Sequence, residues 1–416
     1  MLNRTIKGLR WWMIALLMMG SIVNYLTRST LSVAAPTLLK DLDISTYQYS
    51  WIVAAFQLAI MLQPLCGYVL DVLGLCLGFA IFAISWSIIS MAHGLAHNWQ
   101  ALFGLRALLG LAEGSANPAG MKATSEWFPA TERGYAGGVF NMGASVGSML
   151  AAPIVAWAIL QYNWQFAFVL TGAMGLIWVT LWLLFYHSPA THPALSPEER
   201  AYIAAGQEKH LDGVGARPSI PAILRQRNFW GIALPRFLAD PTWGTLTAWM
   251  PLYLATTRGF DLKQIALFAW LPFLAADIGC MFGGTISHAL QGWFGIGLIN
   301  ARRGAFTVGA LMMTAMAFVG VVDSPYVAIA LLSLGGFAHQ TLSVTVITMS
   351  SDLFRRSEVA TVAGMAGTCG NAGVLLFSLL IGGLVTTIGY TPFFVGLAVL
   401  DLIGAVVLWT LVKAPR

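Results

Sequence analysis

EWFPATERGYAGG, residues 126–138, returns 226 positions later as DLFRRSEVATVAG, residues 352–364. An acid, a Phe, a Ser or Thr, a Glu and a final Gly coincide: Glu126 with Asp352, Phe128 with Phe354, Thr131 with Ser357, Glu132 with Glu358 and Gly138 with Gly364. Each copy is a short polar island between long apolar runs. The chain therefore reads as two similar halves, and what lies on either side of each island decides what those halves are.

The surroundings are overwhelmingly apolar. Of 416 residues, 58% are hydrophobic and 9% charged, where soluble domains carry about 25% charged residues. Mean hydropathy is +0.74. A bilayer core about 30 Å thick takes roughly 20 apolar residues per helix. Runs of that kind fall at 11–39, 47–70, 77–95, 100–121, 134–157 and 164–186, then at 229–256, 263–288, 303–321, 325–350, 358–384 and 390–412. These are twelve expected spans, six in each half, and no strand is expected. The two islands join the fourth and fifth span of their halves. Parallel repeats of this kind are related by an axis along the membrane normal and set their site at the repeat interface. The expected fold is all-α and integral to the membrane: an N-terminal six-helix bundle (1–186), a cytoplasmic linker (187–228) and a C-terminal six-helix bundle (229–416) around a central cavity. Within the linker, Ser196-Pro197-Glu198-Glu199 opens a short helix expected over 196–210.

Basic residues orient the chain. With both termini in the cytoplasm, the inner segments hold 16 of the 22 Lys and Arg, the outer loops hold Lys40, Arg258 and Lys263, and three arginines lie inside spans. The net charge of +5 then belongs to loops near anionic lipid, and no basic, aromatic-interleaved segment points to nucleic acid. The N-terminal basics followed by an apolar run look like a signal sequence, but the run is too long for one and reads as an uncleaved first helix. Cys66, Cys76, Cys280 and Cys369 show no C-x-x-C spacing and read as packing residues. Walker, H-E-x-x-H and nucleophile-elbow motifs are absent. ATP drive, metal or cofactor chemistry and enzyme activity are not expected.

The arginines inside the spans point to function. Arg28 is the one strongly ionisable group between Trp11 and Leu39, and at a helix centre it costs about 2.5–3.5 kcal/mol unless it faces a cavity or a partner. Ser21, Asn24 or Tyr25, Arg28 and Ser32 recur at helical spacing and form one polar stripe. Either Arg28 closes a structural ion pair, or it binds an anion, since guanidinium matches carboxylate bidentately. Arg106 and Glu113 lie seven apart in the fourth span and share a face. An arginine and a carboxylate there suit anion binding coupled to protons, or a buried salt bridge. In the second half Arg236 and Asp240 sit at i and i+4 and can simply pair. Asp277 and Asp401 lie deep in the eighth and twelfth spans, and either is a candidate proton carrier or a partner for Arg236. His339 stands 226 residues after Glu113, which suggests cavity exposure and a proton-coupling role, although a lone histidine in a span more often hydrogen-bonds between helices; Gln340 adjoins it. Trp243, Trp249, Thr345 and Asn371 are candidates to line a sugar site, although aromatic residues in spans are usually packing.

The chain resembles the anion:cation symporter family of the major facilitator superfamily, and within it the hexuronate transporters. The resemblance runs the full length through GLRWWMIAL (8–16), NYLTR (24–28), GYVLDVLG (67–74), SEWFPATER (125–133), FWGIALPRFLAD (229–240), LLSLGGFAHQ (331–340) and SSDLF (350–354). It implies proton-coupled uptake of galacturonate or glucuronate across a bacterial inner membrane, with Tyr25, Arg28 and Arg106 in the substrate site and Glu113 as the proton-coupling acid. Three departures stand out. Thr27 occupies the place of an acid that many members carry before the first-span Arg. Gln57 and Gln63 are the polar candidates in a second span that often carries a Tyr. Leu75-Cys76-Leu77 replaces the basic residues after Gly74. The leading expectation is a symporter whose partners are a sugar-acid anion, protons and the lipid bilayer, with no oligomer required. A symporter for another organic anion, such as an aldonate or aromatic acid, or a non-transporting membrane sensor are the alternatives.

Overall fold

A chain surrounded by hydrocarbon finds no water to satisfy its backbone, so every N–H and C=O in a span must bond within the protein, and the helix does this segment by segment. The computed structural model describes residues 5–129, 132–205, 220–354 and 356–413, and among these all regular structure is helical. Arg4, Lys209, Arg217, Arg355 and Arg416, which contributed to the orientation argument, and the 206–210 end of the expected linker helix lie outside the described residues.

Two compact units emerge, one of residues 1–31 and 59–215, the other of 32–58 and 216–416. The boundary falls within α1 (Leu9–Asp41). The first unit further contains α3 (Gln63–Leu73), α4 (Leu75–His93), α5 (Trp99–Glu113), α6 (Ala116–Trp127), α7 (Arg133–Gln161), α8 (Trp164–Phe185) and the short α9 (Pro197–Ala205). The second contains most of α2 (Thr46–Ile60), then α10 (Ile220–Leu224), α11 (Arg227–Gly244), α12 (Met250–Arg258), α13 (Leu262–Phe268), α14 (Leu271–Phe294), α15 (Leu298–Met313), α16 (Pro325–Leu353), α17 (Arg356–Ile388) and α18 (Thr391–Leu411).

Each of the twelve expected runs is helical, but several are broken. Among the described residues eight helices are long and apolar enough to cross a membrane, nine if α2 and the start of α3, bent by 42°, count as one span. The runs at 100–121, 229–256 and 303–321 are interrupted, and each interruption has a local cause. Gly114-Ser115 separates α5 from α6. Pro235 and Pro241 lie inside α11, which passes through a π-helical turn at Thr245–Trp249 into α12. α15 tightens into a 3-10 segment at Thr314–Phe318. Polar caps mark other ends: Asn98 and Asn163 each accept an N–H three residues on, and Asp261 with Gln264 completes a capping box.

The repeat survives in three dimensions. Phe128 and Phe354 are both buried, and both stand in extended backbone just past the helix end, of α6 and α16 respectively. The island acids anchor charges at helix ends. Asp352 pairs with Arg302 at 3.1 Å. Arg10 at the start of α1 holds Glu132 at 3.0 Å and Glu199 of α9 at 2.8 Å. Ser196 caps α9 as its position suggested, accepting the Glu199 N–H.

Inside each unit small residues set the helix spacing. Gly143 and Gly147 of α7 lie against α1, where a Cβ on Gly147 would stand 2.4 Å from the Ile22 carbonyl oxygen and 2.9 Å from the Tyr25 Cβ. The position 226 residues later, Gly373 of α17, lies against α11 in the same way, 2.1 Å from the Phe237 carbonyl. Close approach of backbones through small residues is how helices pack where hydrophobicity gives no net drive. Trp86, Trp178, Trp182 and Phe79 fill the space between α4 and α8, and Trp178 donates to the Leu16 carbonyl at 2.9 Å. Many large apolar side chains, among them Leu58, Ile88, Ile177, Met281 and Val406, remain exposed along the helices. Such an outer surface suits lipid rather than water.

Gly147→Val should force α1 and α7 apart at a cost of about 1–3 kcal/mol. We expect a lower thermal midpoint for the detergent-solubilised protein, whereas Gly138→Ala, where the new Cβ meets open space, should leave it unchanged. Equal midpoints for both variants would refute the packing role.

Candidate functional site

The site in the first unit begins with a helix that ends at the right residue. α5 stops at Glu113 because Gly114 and Ser115 turn the chain before α6, so the carboxyl sits at a break in the fourth run rather than in mid-helix. It is 1% exposed. A carboxylate so placed needs partners on both oxygens, and α1 supplies them. Arg28 Nε donates to Oε2 at 3.1 Å, and the Thr27 hydroxyl donates to Oε1 at 3.0 Å.

Arg28 is built in from several sides. Its guanidinium lies over the Tyr25 ring at 4.4 Å from the centroid, a cation–π stack that also fixes the plane of the fork. Asn24 Oδ1 stands 3.5 Å from Nη2. Arg106, 5% exposed, donates from Nη1 and Nη2 to the Arg28 backbone carbonyl at 3.4 and 3.3 Å. Five of the residues singled out from the sequence, Asn24, Tyr25, Arg28, Arg106 and Glu113, therefore meet at one place where α1 faces α5. Asn24 is fully buried, and its Nδ2 has no hydrogen-bond partner among the described residues.

Thr27 is the residue that sequence reasoning undervalued. In the sequence it reads as the replacement for an acid, not as a ligand of Glu113. Its hydroxyl also lies 2.7 Å from the Asn24 carbonyl oxygen, so a single proton-bearing oxygen touches both the helix backbone and the buried acid. Its position directly before Arg28 was the available signal.

In the second unit the candidates fall into one cluster and several outliers. Arg236 Nη2 pairs with Asp240 Oδ2 at 3.0 Å, the plainer of the two readings of that spacing. Trp243, one turn on, stacks against His339 with ring centroids 5.9 Å apart. His339 is 2% exposed, so the cavity exposure expected for it is not what the structure shows: the Trp243 ring covers it. Gln340 and Asn371 are half-buried on α16 and α17, and Asp277 is half-buried on α14. Trp249 belongs to the packing, fully buried against Tyr49 and donating to Ser378. Thr345 spends its hydroxyl on the Thr341 carbonyl. Among the described residues no group of His, Cys, Asp and Glu is arranged to hold a metal, and all four cysteines are unbridged.

Comparison with known proteins agrees with this architecture. A protein of Escherichia coli (strain K12) described as a hexuronate transporter is 50% identical over 412 residues, covering 99% of this chain and 95% of that one. The galacturonate transporter of Dickeya chrysanthemi is 51% identical over 327 residues, 78% of this chain and 95% of its own. A crystal structure of a bacterial homolog to the human lysosomal transporter Spinster superposes with a TM-score of 0.73 at 17% identity, covering 97% of this chain and 96% of that one, which speaks for the fold alone. The Major Facilitator Superfamily model matches residues 17–301; the chain is a multi-helix membrane protein that belongs to the major facilitator superfamily.

Proposed function

We propose that this chain is a secondary active transporter that carries hexuronate anions, galacturonate and glucuronate, together with protons across a bacterial inner membrane by alternating access, with both termini on the cytoplasmic side. The observation that carries this reading is the hold of buried Glu113 on Arg28. Two half-identical relatives named for hexuronate and galacturonate transport support the choice of substrate.

The coupling follows from competition for one guanidinium. An ionised Glu113 occupies Arg28 at Nε, and a substrate carboxylate needs that same group. Protonating Glu113 removes its claim, so Arg28 turns its fork to the sugar acid. By linkage, the anion favours the protonated acid as much as the proton favours the anion. Thr27 serves both states. It donates to Glu113 when the acid is ionised; when Glu113 carries a proton, the acid donates to Thr27, whose own proton goes to the Asn24 carbonyl. The Asn24 amide offers a donor to the sugar, and Tyr25 keeps the guanidinium oriented. In the second unit, His339 and Asp277 are further proton-handling candidates, and Trp243, Gln340 and Asn371 further substrate contacts.

The arginines recognise a carboxylate rather than a sugar ring, so the same site would also take an aldonate or aromatic acid. Labelled galacturonate uptake into proteoliposomes under an imposed pH gradient, with those acids as competitors, separates the readings. Accumulation is expected and should be competed best by glucuronate. Binding without accumulation under the gradient would favour the sensor reading, and stronger competition by aldonates would favour the other anions.

Glu113→Gln mimics the protonated acid. It should bind substrate and exchange internal for external galacturonate, yet lose accumulation driven by pH alone. Concentrative uptake by this variant would move the proton carrier elsewhere. Arg28→Lys and Arg106→Lys exchange a planar fork for a point charge, and each should weaken galacturonate binding by about tenfold or more, on the order of 1.4 kcal/mol; wild-type binding by both would dismiss the arginine site. Thr27→Val removes a hydrogen bond to a charged group, about 1.5–3 kcal/mol, and should cut pH-driven uptake roughly tenfold, with Thr27→Ser restoring it. A fully active Thr27→Val protein would take Thr27 out of the coupling.

A further inference from the structure

The break in the fourth run changes where the backbone bonds of its last turn go. A proline ring has no N–H and crowds the carbonyl four residues before it; Pro118 stands four residues after Gly114, where α5 stops. At the break the Gly114 N–H reaches the Gly110 carbonyl at 3.0 Å, and the Ser115 N–H and hydroxyl both go to the Ala112 carbonyl, at 3.4 and 2.9 Å. In an unbroken helix the Ser115 N–H would go to Leu111 instead. The Leu111 carbonyl, within the expected span, then needs another donor.

α3 brings that donor. The Cys66 thiol is buried and donates to the Leu111 carbonyl, with Sγ 3.2 Å from the oxygen. The helices approach closely on either side of this bond. A Cβ on Gly114 would stand 3.5 Å from the Gln63 Cα, and one on Gly67 would stand 3.6 Å from the Pro118 Cβ. α3 therefore crosses the chain at the break itself: Gln63 meets Gly114, Cys66 meets Leu111 and Gly67 meets Pro118. In the sequence Cys66 reads as a packing residue, but in the fold it completes the hydrogen bonding of a helix end.

Leu111 is two residues before Glu113, in the same final turn of α5. That turn aims the buried carboxyl at α1, where Arg28 Nε reaches one oxygen at 3.1 Å and the Thr27 hydroxyl the other at 3.0 Å. Hydrogen bonds weaken steeply as they lengthen and bend. A small rotation of the turn would therefore cost the acid one partner or the other. The Leu111 carbonyl is where a neighbouring helix holds the turn by a hydrogen bond from outside.

We propose that Cys66 is a positioning residue for Glu113. By taking the carbonyl that the break frees, its thiol fixes the last turn of α5 and keeps the carboxyl between Arg28 and Thr27. The positioning is a property of the fold, whereas its effect on transport rests on the reading of Glu113 as the proton-coupling acid.

Cys66→Ala and Cys66→Ser both remove the sulfur and leave side chains of nearly equal size, so they differ in whether a donor remains. Infrared difference spectra of the purified protein in lipid, each taken against the same protein carrying Glu113→Gln, isolate the Glu113 carboxyl stretch, which reports its hydrogen bonds. Cys66→Ala should shift that stretch and Cys66→Ser should keep it. In proteoliposomes Cys66→Ala should lose about tenfold of pH-driven galacturonate accumulation yet keep exchange of internal for external substrate, since a misplacement of about 1 Å can cost on the order of a hundredfold. Cys66→Ser should restore the accumulation. An unmoved stretch in Cys66→Ala would overturn the positioning, and equal shifts in both variants would overturn the part given to the hydrogen bond. An equal loss of accumulation and exchange would return Cys66 to the packing residues. If Glu113→Gln still accumulates substrate while the stretch shifts, the coupling role of Glu113 falls and the positioning stands. If Glu113→Gln fails and Cys66→Ala accumulates like wild type, the role of Cys66 in transport falls.

Discussion

The contact between Arg28 and Glu113 is the constraint around which the first unit is arranged. Two charges removed from water repay their desolvation only with good geometry and further hydrogen bonds on the remaining lone pairs, and removing one partner of such a pair costs about 3–5 kcal/mol. The surrounding structure meets those terms. α5 breaks directly after Glu113, Thr27 satisfies the second oxygen at 3.0 Å, and Tyr25 lies beneath the guanidinium. Tyr25 is in turn positioned by α7, whose Gly147 lets the two backbones approach beside it. A pair so well satisfied is stable as it stands, and only a competing anion or a proton changes the balance. In the function we propose, that property suits it to coupling rather than to bracing.

The second unit solves a related problem with different residues. The 226-residue offset that aligns the two polar islands also aligns Gly147 with Gly373, both pressed against a partner backbone, and Glu113 with His339, both buried. The scaffold repeats and the chemistry does not. An acid held by arginine in one half becomes an imidazole stacked on Trp243 in the other, and the charge of α11 is answered within its own helix by Asp240. Identical backbone requirements preserve glycines across a repeat, whereas each polar side chain answers only to its local partners.

The composition already required a helical membrane protein, because a segment in lipid must satisfy its backbone internally and a run of about 20 apolar residues has no other way to do so. The order of the spans, the repeat and the candidate stripe of Asn24, Tyr25 and Arg28 were legible for the same reason: each is a periodic property of one segment. Arg106 and Glu113 were legible as a pair because seven residues bring two side chains to one helix face. The breaks at Gly114 and through the π turn at Thr245–Trp249 were not. Glycines and prolines occur throughout these helices, and only packing decides which of them interrupts.

Partnership was decided by the tertiary structure alone. Whether Arg28 met Glu113 or stood apart, whether Arg236 turned to Asp240, and whether His339 was open or covered by Trp243 all depend on distances between helices far apart in the chain. Thr27 read as the loss of an acid, yet the fold makes it the second ligand of one. Asp401 read as one intramembrane acid among several, and only its full burial without a hydrogen-bond partner among the described residues marks it out. Periodicity tells which residues share a face; the close approach of a second helix decides what that face finds there.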